Sequence, residues 1–276
     1  MRLDIKDYKR IVVKIGTSTL TLPNGKLHLR RMDKLSWALT DLRNRGKEIV
    51  LVSSGAIAVG TERLGLAARP RDIQGKQAAS AVGQAVLMQI YENFFQQYNQ
   101  KVAQILITRD VLENERRKEN ARNTFFTLLS LGVIPIVNEN DTVSTDELDF
   151  SDNDALSALV AILTDSELLI MLSDTEGVYN KDPHDNPDAR LIKELRDITD
   201  EVLKFSQETP SATNCGSDVP SRVSLGTGGM LTKLLAAKSA SEAGIDTVIA
   251  SGENPGILFD IIDGNTCGTY VPARKK

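Results

Sequence analysis

Histidine is almost absent from this chain. Its 276 residues contain two, His28 and His184. Neither stands in an HExxH or Cys/His zinc spacing, and Ser54 lies in VSSGA rather than GxSxG, so zinc hydrolysis and a Ser-His-Asp triad are both set aside. Cysteine is equally scarce: Cys215 and Cys267 are far apart and in no metal or redox pattern, which reads as two reduced thiols. Aromatics make up 5% of the chain, so the core must be built from Leu, Ile, Val and Ala. No apolar run reaches spanning length, and the start, MRLDIKDYKR, is too charged for a signal peptide; a cytoplasmic location and no membrane are expected. Positive charge is not concentrated either. The net charge is −4, and the one basic cluster is the terminal Arg274-Lys275-Lys276, so nucleic acid and anionic membranes are poor partners. An anionic ligand would have to be met by a few placed cations and backbone N–H groups.

What the sequence does have is alternation. Short Ile/Val-rich runs at 11–15, 49–52, 102–107, 134–137, 168–172 and 247–250 read as strands. Between the first two, Leu29, Met32, Leu35, Leu39 and Leu42 recur at helical spacing and stop at Arg45-Gly46. Further helices are expected over 78–98, 119–131, 155–163 and 231–243. Continuous apolar strands separated by helices predict an α/β fold, a three-layer αβα sandwich with a mainly parallel central sheet, in one domain over 1–276. Ligands of such sheets bind beyond the carboxyl ends of the strands, here KIGTS, SSGA, TRD, NEND, LSDTEG and ASGENPG.

Several residues in those segments invite chemistry. Lys14 ends an apolar strand; either its stem packs while its head reaches solvent, or, with Gly16 allowing close backbone approach, it meets a phosphate. Ser54 before Gly55 either caps a helix or offers a hydroxyl to an anion or carboxylate. In Ser151-Asp-Asn-Asp154 one of three polar residues suffices as a cap, which leaves a carboxylate to hold Lys14 and an amide to read a polar ligand. Ser173-Asp174 closes another strand, with Asp174 directed to a ribose or to its own turn. GTGGMLTK, residues 226–233, is neither a Walker loop nor a dinucleotide fingerprint. Its glycines turn N–H groups inward ahead of a helix N-terminus, and Lys233 sits in the first turn. The other reading is a flexible connection after the polar stretch 206–224. Two lysines and a carboxylate without histidine suit phosphoryl transfer, and an ionised carboxylate acceptor, pKa about 4.3, needs no general base.

With these residues in view, the chain resembles the amino-acid kinase superfamily and, within it, the glutamate 5-kinases. The matching segments are VVKIGTSTLT, VSSGAIAVG, KQAASAVGQ, ARNTF, VIPIVNENDTV, SDNDALSALVA, LSDTEGVYNKDP, GTGGMLTKLLAA and AGIDTVIASG. The resemblance implies ATP-dependent, Mg²⁺-assisted phosphorylation of the γ-carboxylate of L-glutamate to γ-glutamyl phosphate, the first step towards proline. It implies Lys14 and Lys233 as the lysines that neutralise the transferring phosphoryl group, and Asp154 as the aspartate that organises them. Ser54, Asp141 and Asn153 take the glutamate-binding positions. Ser173-Asp174 and Thr227, Gly228, Gly229, Met230, Leu231, Thr232 and Lys233 take the nucleotide-binding ones, with Lys14 shared. It also implies a homo-oligomer, dimer or tetramer, and proline as a feedback inhibitor. Many members continue into a C-terminal PUA domain, which is not expected here. Residues 205–224 look longer and more polar than usual, a cover for the nucleotide or a surface insertion. The small-residue run 78–85 suits close helix packing, at a subunit interface or inside the monomer. The alternatives are a sibling kinase acting on N-acetylglutamate, aspartate or carbamate, and a non-catalytic sensor on the same fold.

Overall fold

The computed structural model describes residues 5–144, 153–181, 183, 186, 188–199, 203 and 229–274. Thr227, Gly228, the stretch 205–224, Asp152, His184 and Cys215 lie outside the described residues. Among those described, seven strands form one sheet in the order β3-β4-β2-β1-β5-β6-β7. They are β1 (Arg10–Ile15), β2 (Glu48–Ser53), β3 (Val102–Ile107), β4 (Ile134–Glu139), β5 (Leu168–Ser173), β6 (Asp246–Ser251) and β7 (Thr269–Val271). All pairs are parallel except β6–β7. The expected strands all form, within two residues of their expected ends. Only β7 was not expected: three residues carry no periodic signal, and this strand is defined by its antiparallel pairing with β6.

Strand alternation sorts the core into two layers. On one face Ile11, Val13, Ile15, Ile49, Leu51, Ile136 and Ile170 pack with helices α2 (Leu29–Asn44) and α4 (Ile73–Gln97). On the other, Val12, Val50, Val52, Val137, Leu169 and Met171 pack with α5 (Glu115–Ser130), α6 (Asn153–Leu163) and α7 (Met230–Glu242). This two-residue period fixes where polar side chains at the strand ends must go. Lys14, two beyond Val12, turns to the α6 side; Ser53 and Asn138, two beyond Leu51 and Ile136, turn to the α4 side.

Among the described residues three short α-helices were not anticipated, α1 (Thr17–Leu20), α3 (Ala56–Arg63) and α8 (Ile257–Ile262), nor was a 3-10 turn at Arg109–Leu112. The apolar content of α3 is mostly small residues, AIAVG, because it lies almost in backbone contact with α4. A Cβ on Gly60 would stand 1.7 Å from the Ala79 carbonyl oxygen, and one on Gly83 would stand 1.8 Å from that of Ala56. The small-residue run 78–85 is therefore used inside the chain, with Ala79, Ser80 and Gly83 buried against α3. At the start of α2, His28 serves as N-cap, its Nδ1 accepting from the Arg31 N–H at 3.3 Å. No described helix is long and apolar enough to cross a membrane.

The glycine contact can be tested by sign. Helix propensity alone favours alanine over glycine by about 1 kcal/mol. Steric overlap with a backbone carbonyl opposes it, and overpacking costs about 1–3 kcal/mol. Gly83→Ala is expected to lower the urea-unfolding free energy, and an unchanged or raised midpoint would show that the helices can part freely.

Candidate functional site

The carboxyl ends of β1, β2, β4 and β5 open into a cleft lined mainly by polar side chains. At its floor β1 delivers Lys14, whose Nζ lies 2.6 Å from Asp154 Oδ1. Asp154 is in the first turn of α6, where a carboxylate also suits the helix dipole, and its side chain is fully buried. Its other oxygen lies 3.3 Å from Lys233 Nζ and accepts from the Thr232 hydroxyl at 2.9 Å. Lys233 reaches Asp154 because it is four residues before Ala237 and so shares the buried face of α7. Burial by itself would push the Asp154 carboxyl up. The Lys14 and Lys233 ammoniums, helped by hydrogen bonds from Lys14 and Thr232, outweigh it and hold the group at about 2. Both lysines are themselves nearly buried, at 4% and 6% exposure, so the reading of Lys14 as a solvent-facing lysine does not hold.

Farther along the cleft, Asn153 Nδ2 lies 2.8 Å from Ser54 Oγ, 3.1 Å from Asn138 Oδ1 and 3.3 Å from the Ser53 carbonyl oxygen. Ser54 is thus not a helix cap. Gly55 takes that place before α3, in a left-handed conformation with φ 104° that favours glycine. Asp141 is buried, accepts a short hydrogen bond from Ser80 Oγ on α4, and faces the Arg69 guanidinium. Burial raises the Asp141 carboxyl above its ordinary value despite Ser80 and Arg69, and burial lowers Arg69 despite Asp141.

Ser173 lines the cleft at the end of β5 and donates to the exposed Asp174 at 3.0 Å. Gly229 precedes α7, followed by Met230, Leu231 and Thr232, so this end of the glycine-rich segment sits at a helix N-terminus as expected. Gly177, nearby, is accounted for by packing: a Cβ there would meet Thr269 Oγ1 at 2.6 Å.

Of the residues singled out in sequence, Lys14, Ser54, Asp141, Asn153, Ser173 and Lys233 lie on the cleft wall and Asp154 beneath it, whereas Asp174, Gly229, Met230, Leu231 and Thr232 are not on that wall. Arg69, Asn138 and Glu139 line it as well and were not singled out. Arg69 had no readable signal, being one arginine in the polar loop AARPRD. Asn138 did have one: an amide at the end of an apolar strand, in the same NEND segment that supplied Asp141. Among the described residues no cluster of three or more His, Cys, Asp or Glu side chains is placed to hold a metal ion.

Comparison with known proteins identifies the family. Glutamate 5-kinase from Clostridium perfringens is 53% identical over 279 residues, covering 100% of this chain and 99% of that protein. Glutamate 5-kinase from Listeria innocua is 47% identical over 280 residues, covering 100% and 97%. Among solved structures, a UMP kinase from Bacillus anthracis superposes with a TM-score of 0.64 at 16% identity, covering 97% of each chain. An isopentenyl phosphate kinase from T. acidophilum superposes with a TM-score of 0.60 at 15% identity, covering 95% of this chain and 100% of that one. At such identities the two structures speak for the fold alone. Residues 9–251 match the model of the Amino acid kinase family, and the chain belongs to that family.

Proposed function

We propose that this chain catalyses the ATP-dependent phosphorylation of the γ-carboxylate of L-glutamate, giving γ-glutamyl phosphate and ADP, the first step towards proline. The observation that carries the reading is the pair of ammoniums, Lys14 and Lys233, held on opposite oxygens of the buried Asp154. A γ-carboxylate oxygen attacks the γ-phosphorus of ATP as the bond from that phosphorus to the β–γ bridging oxygen breaks. No proton moves, because the attacking carboxylate is already ionised at neutral pH, and a histidine-poor site is sufficient. What the reaction needs is positive charge beside the transferring oxygens. Two bare ammoniums so near each other would repel; Asp154 cancels one charge and fixes both positions, leaving a net positive site open to phosphate.

Substrate recognition follows from the other end of the cleft. Asp141, whose carboxyl is raised by burial, gains from a cationic ligand group, and the α-ammonium of an amino acid provides one. Ser54 and Asn153 complete the glutamate subsite. Ser173, Asp174 and residues 227–233 hold the nucleotide, whose phosphates carry Mg²⁺. We assign the whole of 1–276 to one kinase domain that assembles as a homo-oligomer, with proline as feedback inhibitor. The high identity to glutamate 5-kinases along the full chain favours glutamate over N-acetylglutamate, aspartate or carbamate as acceptor.

With ATP, Mg²⁺ and hydroxylamine, glutamate-dependent hydroxamate is expected; a strong preference for another acid, or ligand binding without turnover, overturns the assignment. Lys233→Ala is expected to lower kcat by about 100-fold or more while calorimetric glutamate affinity is retained. Unchanged turnover would remove Lys233 from the chemistry.

Asp154 also links the site to stability. Its folded pKa, about 2, is below the unfolded value of about 3.9, so its contribution is complete above about pH 4 and is lost as pH falls through about 2. Asp154→Asn leaves two buried ammoniums without their counter-charge, and near neutral pH it should cost about 3–5 kcal/mol in urea unfolding. The gap to the parent protein should narrow on acidification from pH 4 towards 2; a gap independent of pH would mean that the carboxylate charge is not what stabilises the cluster.

A further inference from the structure

Asn153 lines the cleft, and among the described residues its amide nitrogen takes the protein contacts: Ser54 Oγ, Asn138 Oδ1 and the Ser53 carbonyl all lie within 3.3 Å of Nδ2. The Ser53 carbonyl is an acceptor only, so it fixes which end of the Asn153 amide faces the protein. Asn138 must then present oxygen to Asn153, and its own nitrogen turns the other way. There it donates at 2.9 Å to Gln84 Oε1. Gln84 belongs to α4, is 8% exposed, and is not among the residues that line the cleft. Asn138 can reach it because residue 138 shares the sheet face of Ile136, which packs on the α4 layer.

We propose that Gln84 is a positioning residue for the substrate. Acting through Asn138, it holds the Asn153 amide with nitrogen towards the protein and oxygen towards the cleft, so that the subsite accepts an α-ammonium group. The relay is polar in one sense only. Its two ends, the Ser53 carbonyl and Gln84 Oε1, are both acceptors, and the two intervening amides line up nitrogen to oxygen between them. Reversing the middle amide would place like groups against each other at both of its contacts. Removing the acceptor at position 84 leaves the Asn138 amide nitrogen without that partner, so Asn138 loses its anchor and Asn153 is held by Ser53 and Ser54 alone. The proposal rests on the assignment of glutamate as acceptor substrate.

The test compares parent protein, Gln84→Met and Gln84→Glu in the hydroxamate assay, with glutarate, which lacks the ammonium group, as competitive inhibitor. Methionine keeps the length and volume without the acceptor; glutamate at this position keeps an acceptor oxygen. Gln84→Met should raise KM for L-glutamate about tenfold, as expected for losing a well-aimed hydrogen bond to a charged group. kcat, KM for ATP and the glutarate inhibition constant should change by less than about twofold, and Gln84→Glu should restore most of the glutamate KM. An unchanged glutamate KM in Gln84→Met overturns the relay. So does equal impairment of both variants, or weakening of glutarate in parallel, since each would mark a packing role. Should Gln84→Met not fold, Gln84→Ala replaces it with the same expectations, and a glutamate KM equal to that of the parent again overturns the relay. A parent protein with no glutamate-dependent hydroxamate overturns the functional assignment and this inference with it, whereas an active parent with an unaffected Gln84→Met overturns the relay alone.

Discussion

A buried carboxylate shared by two ammoniums is the constraint around which the rest is arranged. Asp154 is fully buried, and an ionised carboxylate in that position is tolerable only with its counter-charges in place. Those charges arrive from β1 and from the first turn of α7, elements separated by more than two hundred residues. The central strand, α6 and α7 must therefore be correctly stacked before the site exists. The stacking rests on Val12, Val50, Leu156, Val160, Leu234 and Ala237, all buried in one layer. Electrostatics at the floor of the cleft and packing on that face of the sheet are one requirement met twice.

The opposite face serves recognition in the same way. Helix α4 supplies Ser80 to Asp141, Gln84 to Asn138 and Tyr91 to Ser53, the last at 2.8 Å. Burial raises the Tyr91 hydroxyl well above its ordinary value, so it stays protonated and acts as a neutral hydrogen-bond partner. In the proposed reaction, phosphate chemistry draws on the layer containing α6 and α7, and recognition of the acid draws on the layer containing α4 together with Asn153 from α6. The sheet between them brings the two together at the ends of its strands.

Much of this could be read directly from residues. Apolar strands such as IVVKI and LLIML gave the parallel sheet, and Lys14 stood out as a charge that such a strand cannot leave unpartnered. Lys233 was legible because flexibility explains glycines but not a lysine just inside a helix. Asp154 was legible as one acidic residue more than a cap requires. The substrate side was harder to see. Ser54 read equally well as a cap until Gly55 was found in that place, and Arg69 and Gln84 carry no local pattern. An arginine in a polar loop and a glutamine in a long helix are what any surface would show; their meaning depends on which strand end each faces. Helix α3 escaped notice because alanine and glycine, which let it approach α4 so closely, give little apolar periodicity. For Ser54, Asp141 and Asn153, a glutamate-binding role is legible only through the resemblance to a known family, not through periodicity.

That close approach has a consequence for how the cleft can move. Helix α3 starts directly after Ser54-Gly55, and Gly60 and Gly83 press it against α4 with almost no intervening side chain. Such a joint has little soft material to absorb sliding, so the two helices should travel as one rigid block carrying Ser54, Ser80, Gln84 and Tyr91. Any opening or closing of the cleft would then have to leave this block intact. The acceptor would be gripped by a preformed jaw, and the adjustment needed to bring acid and phosphate into line would fall on the nucleotide side.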